Sequence, residues 1–439
     1  MRTSTSSRGL VFGLITALAV VACAPGQTTG GGGSTSGGKL GGTVNVLAVW
    51  SANEQDSFLA MIKPFEDQSG VKVNYESTRD INATLTTRLQ AGNPPELAGI
   101  PGPGQMFDFA KGGQLKPLDN VLDMSAMSQQ YAPDWVKLGQ YNGKTYSIFI
   151  KTALKGLVWY NPKTFAAKGY TVPKTWADLT ALQTKMKADG TAPWCIGLES
   201  GTASGWPGSD WVKEIVLSQA GPTVYDSWWA GKQKWTSPEI KAAWTTWGGI
   251  VGTPGLVYGG PQFMVSTAFA DGANPMYANP PKCLMHNQGS FMSDIITKAN
   301  AGVTLGTDLS FFPLPDVDSK NAGAHVVAGD LFGMFKDTPQ ARALIKYLTT
   351  PAAQAIWVKR GGAISPNKQV ALSDYPDATS KLIAEQLVGA KIARFDAGDL
   401  MPAAMSAQYF KDVLDFVQNP GKLDSILAAS DAVQATAYK

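Results

Sequence analysis

Residues 43–76 read TVNVLAVWSANEQDSFLAMIKPFEDQSGVKVNYE. The first eight, TVNVLAVW, are apolar and β-branched, the composition of a buried strand. Ser51 and Glu54 follow at S-x-x-E spacing, which predicts a capping box at a helix start. Phe58, Met61, Ile62 and Phe65 then recur at helical spacing, and Gly70 ends the helix. Residues 71–76, VKVNYE, alternate as a second strand. A strand–helix–strand unit argues for a parallel sheet with helices on its faces, an α/β fold.

Upstream, the chain reads as a targeting segment. Residues 1–22 carry Arg2 and Arg8 and no acid, and residues 10–22 are an apolar run too short to span a bilayer. The run ends Val20-Val21-Ala22-Cys23, which resembles the lipobox of bacterial lipoproteins. That resemblance implies a signal peptide over 1–22 and a diacylated Cys23. Residues 24–42, APGQTTGGGGSTSGGKLGG, cannot bury enough apolar surface to fold and read as a flexible tether. No later stretch approaches a ~20-residue apolar span, so the lipid is the one expected membrane contact.

Composition narrows the partners. The 439 residues are enough for two domains. With Arg2 and Arg8 removed, 35 basic residues face 34 acidic ones, and no basic stripe marks a nucleic-acid partner. Two histidines, His286 and His325, stand in no ligand spacing, so no metal and no cofactor is expected. Cys195 and Cys283 remain once Cys23 is lipidated; in an exported chain they form a disulfide or stay as two buried thiols.

Downstream, Asn82 starts a second helix that stops at Gly92, and residues 96–100 form a short strand. Asn142-Gly143 is a hairpin signal between 136–141 and 144–150. Residues 154–160 read as one buried strand, and residues 302–305 as a short one. Thr175 is an N-cap with Asp178 at N3; Thr338-Pro339 and Thr350-Pro351 each place Thr at N-cap and Pro at N1. Helices are predicted over 210–220, 237–246 and 291–299, and a mostly helical pattern from 374 to the end. Residues 326–335 read as a strand broken at Gly329-Asp330.

The stretch 193–211, PWCIGLESGTASGWPGSDW, sets three tryptophans beside Glu199 and Asp210. Eight tryptophans fall between positions 194 and 247. Aromatic faces beside carboxylates suit a neutral polyhydroxylated ligand, so the cluster is expected to face one. No hydrolase, zinc-protease or phosphate-loop motif occurs. An enzyme reading would rest on Glu199 and Asp210 flanking a glycosidic bond.

Several short runs, in order, carry a family resemblance: Ala91-Gly92-Asn93-Pro94-Pro95-Glu96, Gly113-Gln114-Leu115-Lys116-Pro117-Leu118-Asp119, Trp159-Tyr160-Asn161 and Pro173-Lys174-Thr175-Trp176-Ala177-Asp178-Leu179. With the lipobox, tether and first strand they resemble the extracellular solute-binding proteins of sugar ABC importers, the maltose-binding-like family. Residues 205–211, Cys283-Leu284-Met285-His286 and Gly289-Ser290-Phe291 are similar to its α-glucoside-binding branch. Glu96 departs from the usual Asp.

The resemblance implies a periplasmic-binding-protein-like fold of two lobes, each a mixed sheet flanked by helices, joined by a three-segment hinge. The N-terminal lobe takes 43–152 plus 327–364, and the C-terminal lobe 153–326 plus 365–439. Crossings are expected near 150–155, 324–329 and 362–366. It implies a monomer that captures an oligosaccharide, an α-glucoside, outside the membrane and delivers it to ABC permease subunits. Trp50, Trp206 and Phe291 are the expected platforms, Asp210 and Asp330 the acceptors, Arg79 and Lys151 the donors, with Glu54 and Gly329 beside them. Trp50 is equally explained by core packing, Asp210 by helix capping, Glu54 by the capping box and Asp330 by a solvated turn. The alternatives are a glycoside-active enzyme, a binder of an anionic solute such as a glycerol phosphate, and a structural lipoprotein.

Overall fold

The run at 43–48 is apolar because it becomes an interior strand of a sheet. In the computed structural model, which describes residues 39–390 and 392–439, β1 (Thr43–Ala48) lies between two parallel neighbours, β2 (Lys72–Ser77) and β3 (Leu97–Ile100). Its Val44, Val46, Leu47 and Ala48 are all buried. The helix Ala52–Ser69 returns the chain, burying Phe58, Met61, Ile62 and Phe65, and Gly70 closes it in the left-handed region at φ 70°. Ser51 makes no side-chain cap; the expected capping box does not form, because Glu54 is drawn elsewhere.

Among the described residues nine further strands complete the sheets. β4 (Gln140–Tyr141) and β5 (Lys144–Thr145) form a small hairpin across Asn142-Gly143, both at positive φ. Residues 133–138, expected partly as strand, are helix. β6 (Ser147–Leu154), β7 (Leu157–Tyr160), β8 (Ala192–Trp194), β9 (Cys283–Gln288), β10 (Ser310–Pro313), β11 (Ala324–Met334) and β12 (Ile392–Phe395) follow. The first sheet runs β12-β11-β3-β1-β2, with β6 also on β11; the second runs β10-β7-β9-β8. Both are mixed, with helices on their faces.

The single strand expected over 154–160 is two strands in different sheets. The break falls at Gly156, φ 64°, where a Cβ would come within 2.6 Å of the Glu214 carboxyl. A left-handed turn with no room for a side chain takes only glycine. Residues 302–305 form no strand: 303 and 304 are irregular and Leu305 makes only an isolated bridge with Leu309. The helix expected from Asp210 begins at Trp206, so Asp210 lies inside it and caps nothing. Local signals at other helix starts are realised: Thr175 and Asp178 form a capping box, and Thr338 and Thr350 each accept the N3 amide.

One core packs Phe58, Ile62, Leu344 and Trp357 on the first sheet. A second holds Trp194, Trp211, Trp228, Trp235, Trp244 and Trp247, all fully buried, under Tyr409 and Phe416. The tryptophan cluster is therefore core, not ligand surface; of the eight, Trp206 alone lines the cleft described below. Two indoles at i, i+3 on the helix Pro238–Val251 both point inward, as helix geometry dictates.

A disulfide joins Cys195, one residue past β8, to Cys283 at the start of β9, Cα–Cα 5.5 Å. The expected signal peptide over 1–22, lipidated Cys23 and most of the tether lie outside the described residues. The last expected tether residues are held by the body: Gly41 donates to Ser69 and Gly42 accepts from Lys72. Among the described residues no helix is long and apolar enough to cross a membrane.

Candidate functional site

Where the chain changes sheets it leaves a cavity of about 190 Å³. Three segments lie side by side there. Thr152 on β6 pairs with Gly329 on β11, and exchanges two backbone hydrogen bonds with Ile364, of 2.7 and 3.1 Å. Gly329 sits in the wall because a Cβ would meet the Phe149 ring at 2.7 Å.

One wall is charged. Lys151 and Asp330 face each other across β6 and β11, just before a register shift after Asp330. Such an irregularity re-aims a side chain, and here the Asp330 carboxylate turns into the cavity instead of out to solvent. Buried Lys151 pairs with Glu54 and, at 3.3 Å, with Asp330. It also lies 4.9 Å over the Trp357 ring. Burial works to neutralise this ammonium, but the two carboxylates outweigh it and hold its pKa above the ordinary lysine value. Burial raises the Asp330 pKa, with Lys151 opposing and Glu54 reinforcing. Glu54 therefore serves the cleft, not the helix start. Arg79, in the turn before the helix Ile81–Gln90, comes within 3.9 Å of Glu54 and lies 4.9 Å over Phe269.

The facing wall is aromatic. Trp206 contacts Phe269, centroids 5.1 Å apart, and Phe291 at 6.1 Å. The Lys155 ammonium caps both Trp206, at 4.7 Å, and Phe291, at 5.5 Å. Beside these rings lies a buried ion network, of which Lys155, Lys213 and Asp396 reach the cavity lining. Asp210 accepts from Lys155 at 2.7 Å and pairs with Lys213 at 2.8 Å, and Asp396 pairs with both lysines.

The structure thus gathers Trp50, Glu54, Arg79, Lys151, Trp206, Phe291, Gly329 and Asp330 around one cavity. Two expected roles change. Trp50 is 1 % exposed, packed on Phe58, Phe332 and Trp357, and its Nε1 donates to Asp330 at 3.2 Å; it positions the acid and offers no open face. Asp210, also 1 % exposed, stands behind the wall and orients Lys155 and Lys213. Phe269, Lys155, Lys213, Asp396, Asp399 and Phe410 also line the cavity and were not anticipated. Lys155 carried a readable signal, a charge beside a glycine at an expected crossing; Phe269 carried none.

A profile of the bacterial extracellular solute-binding protein family matches residues 60–385. The chain belongs to that family. Among curated members it is 36 % identical over 375 residues to the osmoprotective compounds-binding protein GgtB of Synechocystis sp., covering 85 % of this chain and 88 % of that protein. It is 35 % identical over 397 residues to the alpha-glucosides-binding periplasmic protein AglE of Rhizobium meliloti, covering 88 % and 85 %. Solved structures share the fold. A chitin oligosaccharide binding protein superposes with TM-score 0.78 at 20 % identity, over 90 % of this chain and 98 % of that one. Maltose-bound T. maritima MalE3 gives 0.72 at 17 % identity, over 90 % and 99 %. The fold of this solute-binding family member is therefore the periplasmic-binding-protein-like α/β fold, and its family role is extracytoplasmic solute capture for ABC importers.

Proposed function

We propose that this chain binds a sugar, an α-glucoside, in the cavity between its sheets and hands it to an ABC permease without altering it. The observation that carries this is that Trp206, Phe269 and Phe291 line one cavity together with Glu54, Lys151, Asp330 and Arg79. A sugar ring presents C–H faces to the first set and hydroxyls to the second. The relatives named for α-glucosides and osmoprotective compounds support the same class. Against hydrolysis, Asp210 is locked between two ammonium groups and Glu199 accepts from the Gly201 amide at 2.7 Å, away from the cavity lining. Against an anionic solute, Lys151, Lys155 and Lys213 are each already paired with carboxylates.

On this reading the lobes are 43–152 plus 327–364 and 153–326 plus 365–439, hinged where Thr152, Gly329 and Ile364 meet. The protein works as a monomer tethered by Cys23 at the outer face of the membrane. Cys23→Ala is expected to release it to the medium or leave uncleaved precursor; unchanged membrane retention would refute the anchor.

The site is tested by calorimetry with α-glucosides on Trp206→Ala, Phe291→Ala and Asp330→Asn. Each should lose roughly ten- to hundredfold in affinity, about 1.5–3 kcal/mol. If all three stay folded and bind within about threefold of wild type, the cleft is misplaced. Ligand should also shrink the radius measured by small-angle scattering, as hinge closure requires.

A further inference from the structure

On the proposed lobe division, the helix Pro103–Lys111 of the first lobe packs on Ala397–Leu400 of the second. Two glycines make the approach possible. Gly102 holds the N-cap position of its helix in extended backbone, φ −145°, with no side-chain cap. Ser, Thr, Asp or Asn is preferred at such a position. Here a Cβ would come within 2.4 Å of the Asp399 carbonyl oxygen. Gly104 lies inside the helix, where glycine is unfavourable. Its Cβ would come within 2.0 Å of the Met401 carbonyl oxygen. Neither glycine has a positive φ, so both serve contact rather than backbone shape.

Two carboxylates of the first lobe bond to the second. Asp108 accepts from the Ala403 amide at 3.0 Å. Ala403 opens the helix Ala403–Gln418, whose N-cap is Pro402, a residue with no side-chain acceptor. One of that helix's orphan donors is thus satisfied from the other lobe. Asp80 precedes the helix Ile81–Gln90 yet makes no side-chain cap there. Its carboxylate instead accepts from the Thr202 hydroxyl at 3.0 Å. These contacts stand at the cavity's rim. Asp80, Gly102 and Thr202 are each next in sequence to a lining residue, Arg79, Pro101 and Ala203, and Asp399 lines the cavity itself.

We propose that the seam of Gly102 and Gly104 against Asp399–Met401, with the two cross-lobe carboxylate bonds, is a latch that holds the lobes closed and slows the escape of bound solute. The inference rests on the two-lobe reading. Each contact has its partners on different lobes, so it stabilises the closed arrangement and not the open one. Such differential contact biases an equilibrium between two conformations and slows the opening that precedes release.

The test uses the full chain and three variants. Gly104→Ala drives a methyl into the seam while favouring the helix that carries it. Asp108→Ala removes the cross-lobe cap at an exposed position. Asp108→Ala/Pro402→Ser returns a cap to the helix from its own lobe. Stopped-flow displacement of the tightest of maltose, sucrose and trehalose should show release about fivefold faster in Asp108→Ala and about tenfold faster in Gly104→Ala. The re-capped double variant should recover the urea midpoint of wild type and keep the fast release. Small-angle scattering on the unliganded chain reads the latch without any sugar: both single variants should give a larger radius than wild type. If Gly104→Ala does not fold, Asp108→Ala decides. Folded variants with wild-type release and radius, or a release rate restored by Pro402→Ser, would overturn the latch, while a wild type that still shrinks with sugar keeps the two lobes. Failure of the two-lobe reading looks different: no sugar then changes the wild-type radius, and the variants lose urea stability without any change in radius. If no sugar binds, the radius of the unliganded variants alone decides the latch.

Discussion

Asp210→Ala is expected to remove about 3–5 kcal/mol of unfolding free energy, the usual result of stripping one partner from a buried ion pair. Its two lysines are 6 % and 2 % exposed as side chains, and Asp396 2 %. Burial would lower the Lys213 pKa, but Asp210 and Asp396 outweigh it and keep the ammonium charged. Burial likewise raises Asp396, and Lys213 with Lys155 brings it below the ordinary carboxylate value. Burial and, respectively, Asp210 and Asp396 push the Glu214 and Asp399 pKa values well up. Within the network itself Lys155 and Lys213 face Asp210 and Asp396. Without Asp210 both ammonium groups, 6 % and 2 % exposed, crowd on Asp396. Urea denaturation measures the loss, and a change under about 1 kcal/mol would show that the network is not sealed. The double variant Asp210→Leu/Lys213→Met leaves Lys155 and Asp396, 3.7 Å apart, as a balanced pair. It should lose less than the sum of the singles. Ligand affinity should fall with stability in Asp210→Ala, because Lys155 holds its place over Trp206 and Phe291 through this carboxylate.

What could be read in the sequence was what short-range physics decides. The strand–helix–strand unit at 43–76 declares itself through burial on both faces of β1 and a 3.6-residue stripe on the helix. Thr338-Pro339 and Thr350-Pro351 cap as expected because the cap hydroxyl and the N3 amide are three residues apart. The same argument failed at Ser51 and Glu54. There a buried ammonium 97 residues away, Lys151, outbids a helix amide for the carboxylate. The tryptophan cluster misled for a related reason. Aromatic composition is shared by cores and sugar sites, and only tertiary packing separates Trp206 from Trp211, five residues on.

The cleft was legible where the family resemblance or a backbone oddity marked it. Asp330 stood out as a charge beside glycine inside an apolar strand, and the irregularity in β11 explains both. Asp396 and Asp399 follow β12, a four-residue strand buried in a helical stretch, with nothing local to announce it. Phe269 and Phe410 reach the cavity only because distant segments pack there. Such residues become visible once the sheet order is known, since the first sheet brings β12 onto β11 beside the hinge.

Removing the disulfide should cost about as much as breaking the ion network. Cys195 and Cys283 enclose a separation of 88 residues, for which chain-entropy models give about 4–5 kcal/mol. The enclosed stretch includes Trp206 and Phe269, so the bond also limits the disorder available to two of the three rings of the aromatic wall before ligand arrives. The double variant Cys195→Ala/Cys283→Ala keeps the site apolar and isolates the crosslink. Its urea midpoint should fall accordingly, while dithiothreitol, which should lower the midpoint of the wild type, leaves the variant unchanged. Both cysteines are fully buried, so reductant should act on wild type only as denaturant opens the fold. A wild-type midpoint insensitive to reductant across the whole transition would mean that the crosslink carries no stability. Affinity in the surviving folded variant should drop far less than stability, because the ring contacts to the ligand remain and only the unfolded chain has gained freedom.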